Sequence, residues 1–221
     1  MPCWIGGEVD TCGLKWVSGF PQTIELRLPY NNGLFVLTDS DNGLMKAVMD
    51  ANWLTTWRTG AASGVIAKYL GGAGCATVAI IGAGTQGRIN LRAIATVYPE
   101  LKTAKVFDPL PRQVESFRKE MGAAFPSVKI EACSDVRAAC DDADIVITCT
   151  PVLEKPVRIV RSSWLKKDVL CIAVDHDSAF DADVMTEAVA YVVDDRGQYN
   201  YMQGGGVYFQ GYPCEKDLYA E

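Results

Sequence analysis

Between residues 76 and 194 the apolar positions come in short continuous runs, separated by stretches in which apolar residues return at every third or fourth position. The runs predict strands at residues 76–81, 104–107, 128–132, 144–149, 169–174 and 190–194, and the periodic stretches predict helices near 86–97, 111–122, 135–141 and 181–187. Parallel strands need crossover connections, which helices normally supply, so this alternation predicts a parallel sheet covered on both faces. The first fifty residues follow another pattern. GLFVLTD from Gly33 and LMKAVMD up to Asp50 flank Ser40-Asp41-Asn42-Gly43, a hairpin signal, and Gly13–Val17 and Ile24–Leu28 read as further strands. Ala51 to Leu70 carries small and apolar residues at helical spacing and stops at Gly71-Gly72, which predicts a connecting helix. After Asp195 the aromatic and glycine-rich stretch QYNYMQGGGVYFQGYP has no assignable period and reads as loop or partner-dependent structure.

The first predicted strand runs into VAIIGAGTQGR, residues 78–88, where Gly82, Gly84 and Gly87 form a G-x-G-x-x-G pattern opening a helix. Such a loop suits a dinucleotide: the first glycine makes the tight turn, the second lets the backbone approach a pyrophosphate, and the third packs helix against strand. The free N–H groups at the helix start, around Thr85 and Gln86, then hold the phosphates. The pattern alone is weak, but here a strand precedes it and Asp108 closes the next strand, placed to accept hydrogen bonds from ribose hydroxyls. A carboxylate there repels a 2′-phosphate, so NAD is favoured over NADP. Arg112 is a contrary hint, since a turn at Pro109 to Pro111 could aim it at a phosphate; otherwise it is a solvated first-turn residue. Thr150 ends the fourth strand at the carboxyl edge, where ligands of open α/β sheets bind, and is a candidate cofactor contact or a simple strand-ending hydroxyl. The expected fold is therefore α/β, a Rossmann-type doubly wound parallel sheet preceded by a partial β-rich domain.

Composition narrows the function classes. A chain of 221 residues, 49% hydrophobic, can bury a sizeable core. Its net charge of −6, with Lys and Arg scattered, argues against nucleic acid as a partner. No apolar run reaches the roughly 20 residues that span a bilayer, and no secretory leader opens the chain, so no membrane contact and a cytoplasmic protein are expected. The eight cysteines never form C-x-x-C and show no metal-type spacing. Cys149 and Cys171 lie in apolar runs, where a thiol behaves as a small buried hydrophobe.

Three ordered motifs carry a resemblance. Arg58-Thr59-Gly60-Ala61-Ala62 with Ala67–Leu70 after it, the downstream IIGAGTQG, and the opening Met1-Pro2 with Gly13-Leu14-Lys15-Trp16-Val17-Ser18-Gly19-Phe20-Pro21 resemble the ornithine cyclodeaminase and mu-crystallin family. The resemblance covers nearly the whole chain. It implies NAD(P)-dependent hydride transfer at an amino-acid Cα: cyclodeamination of ornithine, alanine oxidation, or reduction of ketimines and cyclic imines. By position, Lys15 and Arg58 match the residues that hold the substrate carboxylate, and Asp175 matches the acid that handles the amino-group proton. Thr59 falls on the cofactor side with the glycine loop. The same resemblance divides the chain into a partial substrate and dimerisation domain (residues 1–70), a nucleotide-binding domain (71–195) and a segment returning to the first (196–221). It implies a small amino-acid or imine substrate and a homodimer in the full-length form.

Bland readings stand beside these. Lys15 on an amphipathic strand could be a solvated lysine, whereas Arg58 among small and apolar residues has few such explanations. Asp175 could be a strand-end turn residue, since Asp175, Asp177, Asp181 and Asp183 crowd one stretch. His176, the single histidine, should point away from Asp175 if both lie on a strand. Asp177-Ser178-Ala179-Phe180-Asp181-Ala182 replaces the P-G-K-x-E-L-like run of many cyclodeaminases, so ornithine itself does not follow from the resemblance. Family chains are usually longer at both ends, and this chain reads as their middle. A catalytically inactive nucleotide-binding protein of the crystallin type, or an inactive fragment, is the competing expectation.

Overall fold

A computed structural model describes residues 2–20, 23, 26, 28–152 and 155–218. The chain forms two compact units, residues 1–58 and 59–221, so the division falls inside the connecting helix. Pro21 and most of the strand expected at Ile24–Leu28 lie outside the described residues.

The first unit is a four-stranded antiparallel sheet in sequential order: β1 (Pro2–Ile5), β2 (Thr11–Gly19), β3 (Asn31–Thr38) and β4 (Met45–Asp50). The β3–β4 hairpin turns where expected. Asp39 Oδ1 accepts the N–H of Asp41 and Asn42, and Gly43 takes a positive φ of 74°. Register pairs Leu14 with Val36 and Val36 with Val48, and Trp16 with Leu34, which puts these residues on one face and Lys15 and Phe35 on the other. Leu14, Trp16, Leu34 and Val48 of that first face are exposed. Asp50 accepts the N–H of Asn52 at 2.9 Å as α1 (Asn52–Leu70) begins.

The second unit holds β5 (Thr77–Ile81), α2 (Thr85–Val97), β6 (Thr103–Phe107), α3 (Pro111–Ala124), β7 (Lys129–Ala132), α4 (Val136–Cys140), β8 (Ile145–Thr148), β9 (Leu170–Ala173), α5 (Ala182–Thr186) and α6 (Arg196–Gly204). The five strands are all parallel in the order β7-β6-β5-β8-β9, the doubly wound arrangement expected, and the order reverses beside β5. Alternate residues of β5 feed two cores. Val78 and Ile80 pack with Leu91, Ile94, Phe117 and Met121 of α2 and α3, whereas Ala79 and Ile81 pack with Val146, Phe180 and Tyr199. At the amino-terminal edge of the sheet, Asp144 Oδ2 accepts the N–H of both Ala76 and Thr77, at 2.7 and 2.8 Å, while Lys166 pairs with Oδ1.

Two expectations for the C-terminal third are corrected. Residues 190–194 form no strand: among the described residues β9 pairs only with β8, and Tyr191 is covered by the rings of Tyr199 and Tyr212, at 5.8 and 6.2 Å, instead of by a sheet neighbour. The glycine-rich stretch after Asp195 is ordered and begins with α6, capped by the Asp195 carboxylate accepting the Gln198 N–H at 2.6 Å. Tyr199, Phe209, Tyr212 and Leu218 are buried in the second core, and Tyr212 donates its hydroxyl to the Phe180 carbonyl at 2.8 Å. Among the described residues no helix is long and apolar enough to cross a membrane.

Candidate functional site

The glycine loop sits at the carboxyl end of β5, where the strand order reverses. Gly82 has φ +108°, and a Cβ there would lie 2.6 Å from the Cys149 carbonyl oxygen. A side chain at Gly87 would collide with the Gly82 carbonyl, so the start of α2 packs directly on the turn. Gly84 differs: nothing lies within 4 Å of its would-be Cβ, and as the residue preceding α2 it leaves the helix without a side-chain cap. A tight turn, a bare approach and an uncapped helix start are what a pyrophosphate needs, so these residues fit a dinucleotide.

Asp108, just after β6, is tied to this loop. Its Oδ2 accepts the Ala83 N–H and its Oδ1 the Leu110 N–H, both at 2.9 Å. Each oxygen keeps acceptor capacity, and the carboxylate cannot swing away without losing both bonds. Arg112 is exposed on the first turn of α3, as its solvated reading expects. Thr85 is exposed, while Gln86 Oε1 and Asn90 Oδ1, one turn apart in α2, are buried without a hydrogen-bond partner among the described residues. Thr59 lies in α1, half-buried, with its carbonyl accepting from Ser63 at 3.5 Å.

Beside Gly82 lies a second cluster. Asp175, 2% exposed, accepts Thr148 Oγ1 at 2.6 Å on Oδ1, and Thr150 N–H at 2.9 Å and Oγ1 at 2.6 Å on Oδ2. Burial raises its pKa above the usual carboxylate value, and the three donors pull it back in part. Asp175 and His176 stand in a turn after β9, not on a strand, so the alternation argument does not apply to them. His176, at φ +58°, packs its ring 6.2 Å from Phe209 and 6.4 Å from Tyr208. Asp177 is fully buried: its Oδ2 accepts the Phe209 N–H at 2.7 Å and pairs with Arg158 at 3.3 Å, fastening the C-terminal segment. Cys149 is a half-buried thiol whose pKa desolvation pushes up, and Cys140 and Cys171 are pushed up to about 12, the opposite of reactive thiolates.

In the first unit, Lys15 donates to Thr55 Oγ1 at 3.4 Å and stands near Arg58. Its pKa is lowered, first by burial and then by the Arg58 charge. The fold thus gathers two cations at the β2–α1 contact, with Arg58 exposed. The expected residues fall into two groups, Lys15 with Arg58, and the glycine loop with Asp108, Thr150 and Asp175. Sequence reasoning missed Thr148, Asn90, Arg88 and the Asp177–Arg158 pair. Only Thr148 had a visible signal, as a hydroxyl inside an otherwise apolar strand.

Known proteins share the fold. The nodulation efficiency protein NfeD of Rhizobium meliloti is 32% identical over 90% of the chain and 60% of its own length. The chain therefore spans less than two thirds of that relative. The Thermococcus litoralis Δ1-pyrroline-2-carboxylate reductase, solved with NADH and L-proline, superposes with a TM-score of 0.81 at 28% identity, over 96% of the chain and 66% of the reductase. An archaeal alanine dehydrogenase dimer with bound NAD gives a TM-score of 0.77 at 25% identity, over 96% of the chain and 70% of the dehydrogenase. The model of the ornithine cyclodeaminase/mu-crystallin family matches residues 1–205, and with the strand order and glycine loop in place, the chain belongs to that family.

Proposed function

We propose that the chain is the core of a cytoplasmic, NAD-dependent oxidoreductase or lyase of the cyclodeaminase type, acting at the Cα of an amino acid or cyclic imine. The observation that carries this reading is the loop at Gly82–Gly87, open beside Gly84 and flanked by the Asp108 carboxylate. When bound, a nicotinamide supplies or takes up the hydride. The Gly84 backbone and the first turn of α2 would hold its phosphates, and Asp108 the adenosine ribose. Because Asp108 is tied by two backbone N–H groups, a 2′-phosphate would meet a fixed negative charge, which supports NAD over NADP.

On the substrate side, Lys15 and Arg58 hold the carboxylate, Arg58 as a bidentate fork and Lys15 as a point charge. Burial first and the Arg58 charge second lower the Lys15 pKa, and an anion between the two cations offsets the second of these. Asp175 takes up or returns the proton of the substrate nitrogen, and Thr148 and Thr150 fix its orientation. A homodimer is the assembly proposed for the full-length protein, supported by the dimeric alanine dehydrogenase and by the exposed apolar row on the four-stranded sheet.

Titration with NADH and NADPH, followed by nicotinamide fluorescence, tests the cofactor. NADH should bind at least about tenfold tighter, and Asp108→Ser should narrow that gap. No binding of either nucleotide overturns the reading, and binding without turnover of any amino acid or imine leaves a nucleotide-binding protein of the crystallin type. Arg58→Ala should lower kcat/KM by about 30-fold or more, the loss of a charged hydrogen bond, while the NADH Kd holds within about twofold. Equal loss of both would make Arg58 structural.

A further inference from the structure

Arg88 lies in the first turn of α2, and its donors are spread over three partners. Nη1 donates to the Ala83 carbonyl of the glycine loop, Nε to Glu120 Oε2 at 2.8 Å and Nη2 to Ser116 Oγ at 3.0 Å, both on α3. The guanidinium also stands 5.6 Å from the centre of the Phe117 ring, and the side chain is only 15% exposed. On the other side of the same residue, the Ala83 N–H is held by Asp108 at 2.9 Å. The two peptide groups that meet at Ala83 are therefore both fixed by charged side chains from outside the loop. The Ala83–Gly84 peptide is trans, so holding its carbonyl toward Arg88 points the Gly84 N–H the opposite way.

We propose that Arg88 is a positioning residue of the dinucleotide site, bracing the Ala83 carbonyl against α3 so that the Gly84 N–H and the uncapped start of α2 are aimed at the phosphates. This rests on the nucleotide reading above. Arg88 acts through the backbone: each of its three nitrogens already donates to a protein acceptor, and the side chain is held against α3. Only a planar fork reaches the carbonyl, Glu120 and Ser116 together, whereas a lysine ammonium offers one point of charge.

The test measures affinity of the full chain for ADP-ribose, which carries the pyrophosphate, and for adenosine, which carries no phosphate. Arg88→Met should weaken ADP-ribose about tenfold or more and change adenosine by less than about twofold, and Arg88→Lys should not restore the loss. A folded Arg88→Met that binds ADP-ribose like the parent overturns the proposal. Equal weakening of both ligands makes Arg88 a general stability residue, and full rescue by lysine makes its charge, not its fork, the active property; either result overturns it. Should Arg88→Met fail to fold, Glu120→Ala removes one of the three anchors at a half-exposed carboxylate and should weaken ADP-ribose about threefold, with no change counting against the brace. A parent chain that binds no ADP-ribose overturns the nucleotide reading and Arg88's role with it, whereas binding that survives Arg88→Met overturns that role alone.

Discussion

Replacing Asp175 with asparagine should lower kcat by about 10²- to 10⁴-fold, the usual worth of a positioned acid–base group, while the melting temperature stays within a few degrees of the parent. The two effects separate because asparagine satisfies the same neighbours. Its carbonyl oxygen can take the Thr150 N–H and hydroxyl where Oδ2 now stands, and its NH₂ can donate to the Thr148 hydroxyl oxygen in place of Oδ1. The charge itself is not what stabilises the fold. Folding raises the Asp175 pKa through burial, so the ionised form is held at a cost above that pKa, and the cost is relieved as pH falls through it. Asparagine carries no such charge. Asp175→Ala is the contrast, leaving the Thr150 N–H without its acceptor and costing about 1–3 kcal/mol. Steady-state kinetics beside thermal melts decide the matter. If Asp175→Asn turns over normally, Asp175 only secures the end of β8.

The glycine loop supports a second large effect that also comes apart in two variants. Gly82→Ala should melt roughly 5–15 °C lower and bind no NADH, since φ +108° is forbidden to a side chain and the new methyl would press on the Cys149 carbonyl. Both costs fall on backbone, which cannot give way as a flexible side chain would. Gly84→Ala meets neither obstacle: its φ is −76° and nothing lies within 4 Å. Its melting point should match the parent, and its NADH affinity should still fall about tenfold or more, because the methyl occupies the space left for the pyrophosphate. Calorimetry and fluorescence titration on the pair measure the loop's structural and binding roles separately. Undiminished NADH binding by Gly84→Ala would remove Gly84 from the nucleotide site.

Most of the second unit was legible in the sequence, because its strands are short apolar runs, with the central β5 and β8 almost wholly buried, and α2 and α3 keep an apolar stripe. The glycine loop was legible for another reason: its residue types are imposed by backbone geometry at Gly82 and Gly87. The segment after Asp195 was not. Its aromatic residues serve contacts at irregular intervals, Tyr199 to the Pro213 carbonyl and Tyr212 to the Phe180 carbonyl, so no helical or strand period emerges. Asp195 as a helix cap was the available clue. Asp175 was singled out by resemblance, but its hydrogen-bond partners were not. Thr150 was read toward the cofactor, whereas its hydroxyl and N–H both go to an acid 25 residues away, a pairing no local pattern encodes. Arg88 was invisible for the same reason, since its partners Ser116 and Glu120 lie 28 and 32 residues on.

Asp144 fastens the start of β5 to the start of β8, with Lys166 behind it, at the margin of the sheet away from Gly82, Asp108 and Asp175. Strand order is thereby secured by groups that no ligand at the other margin needs to touch. Substitutions at Gly84 or Asp108, on the other margin, leave this tie at the start of β5 and β8 untouched. The sheet thus carries its fastening at one margin and its candidate site at the other.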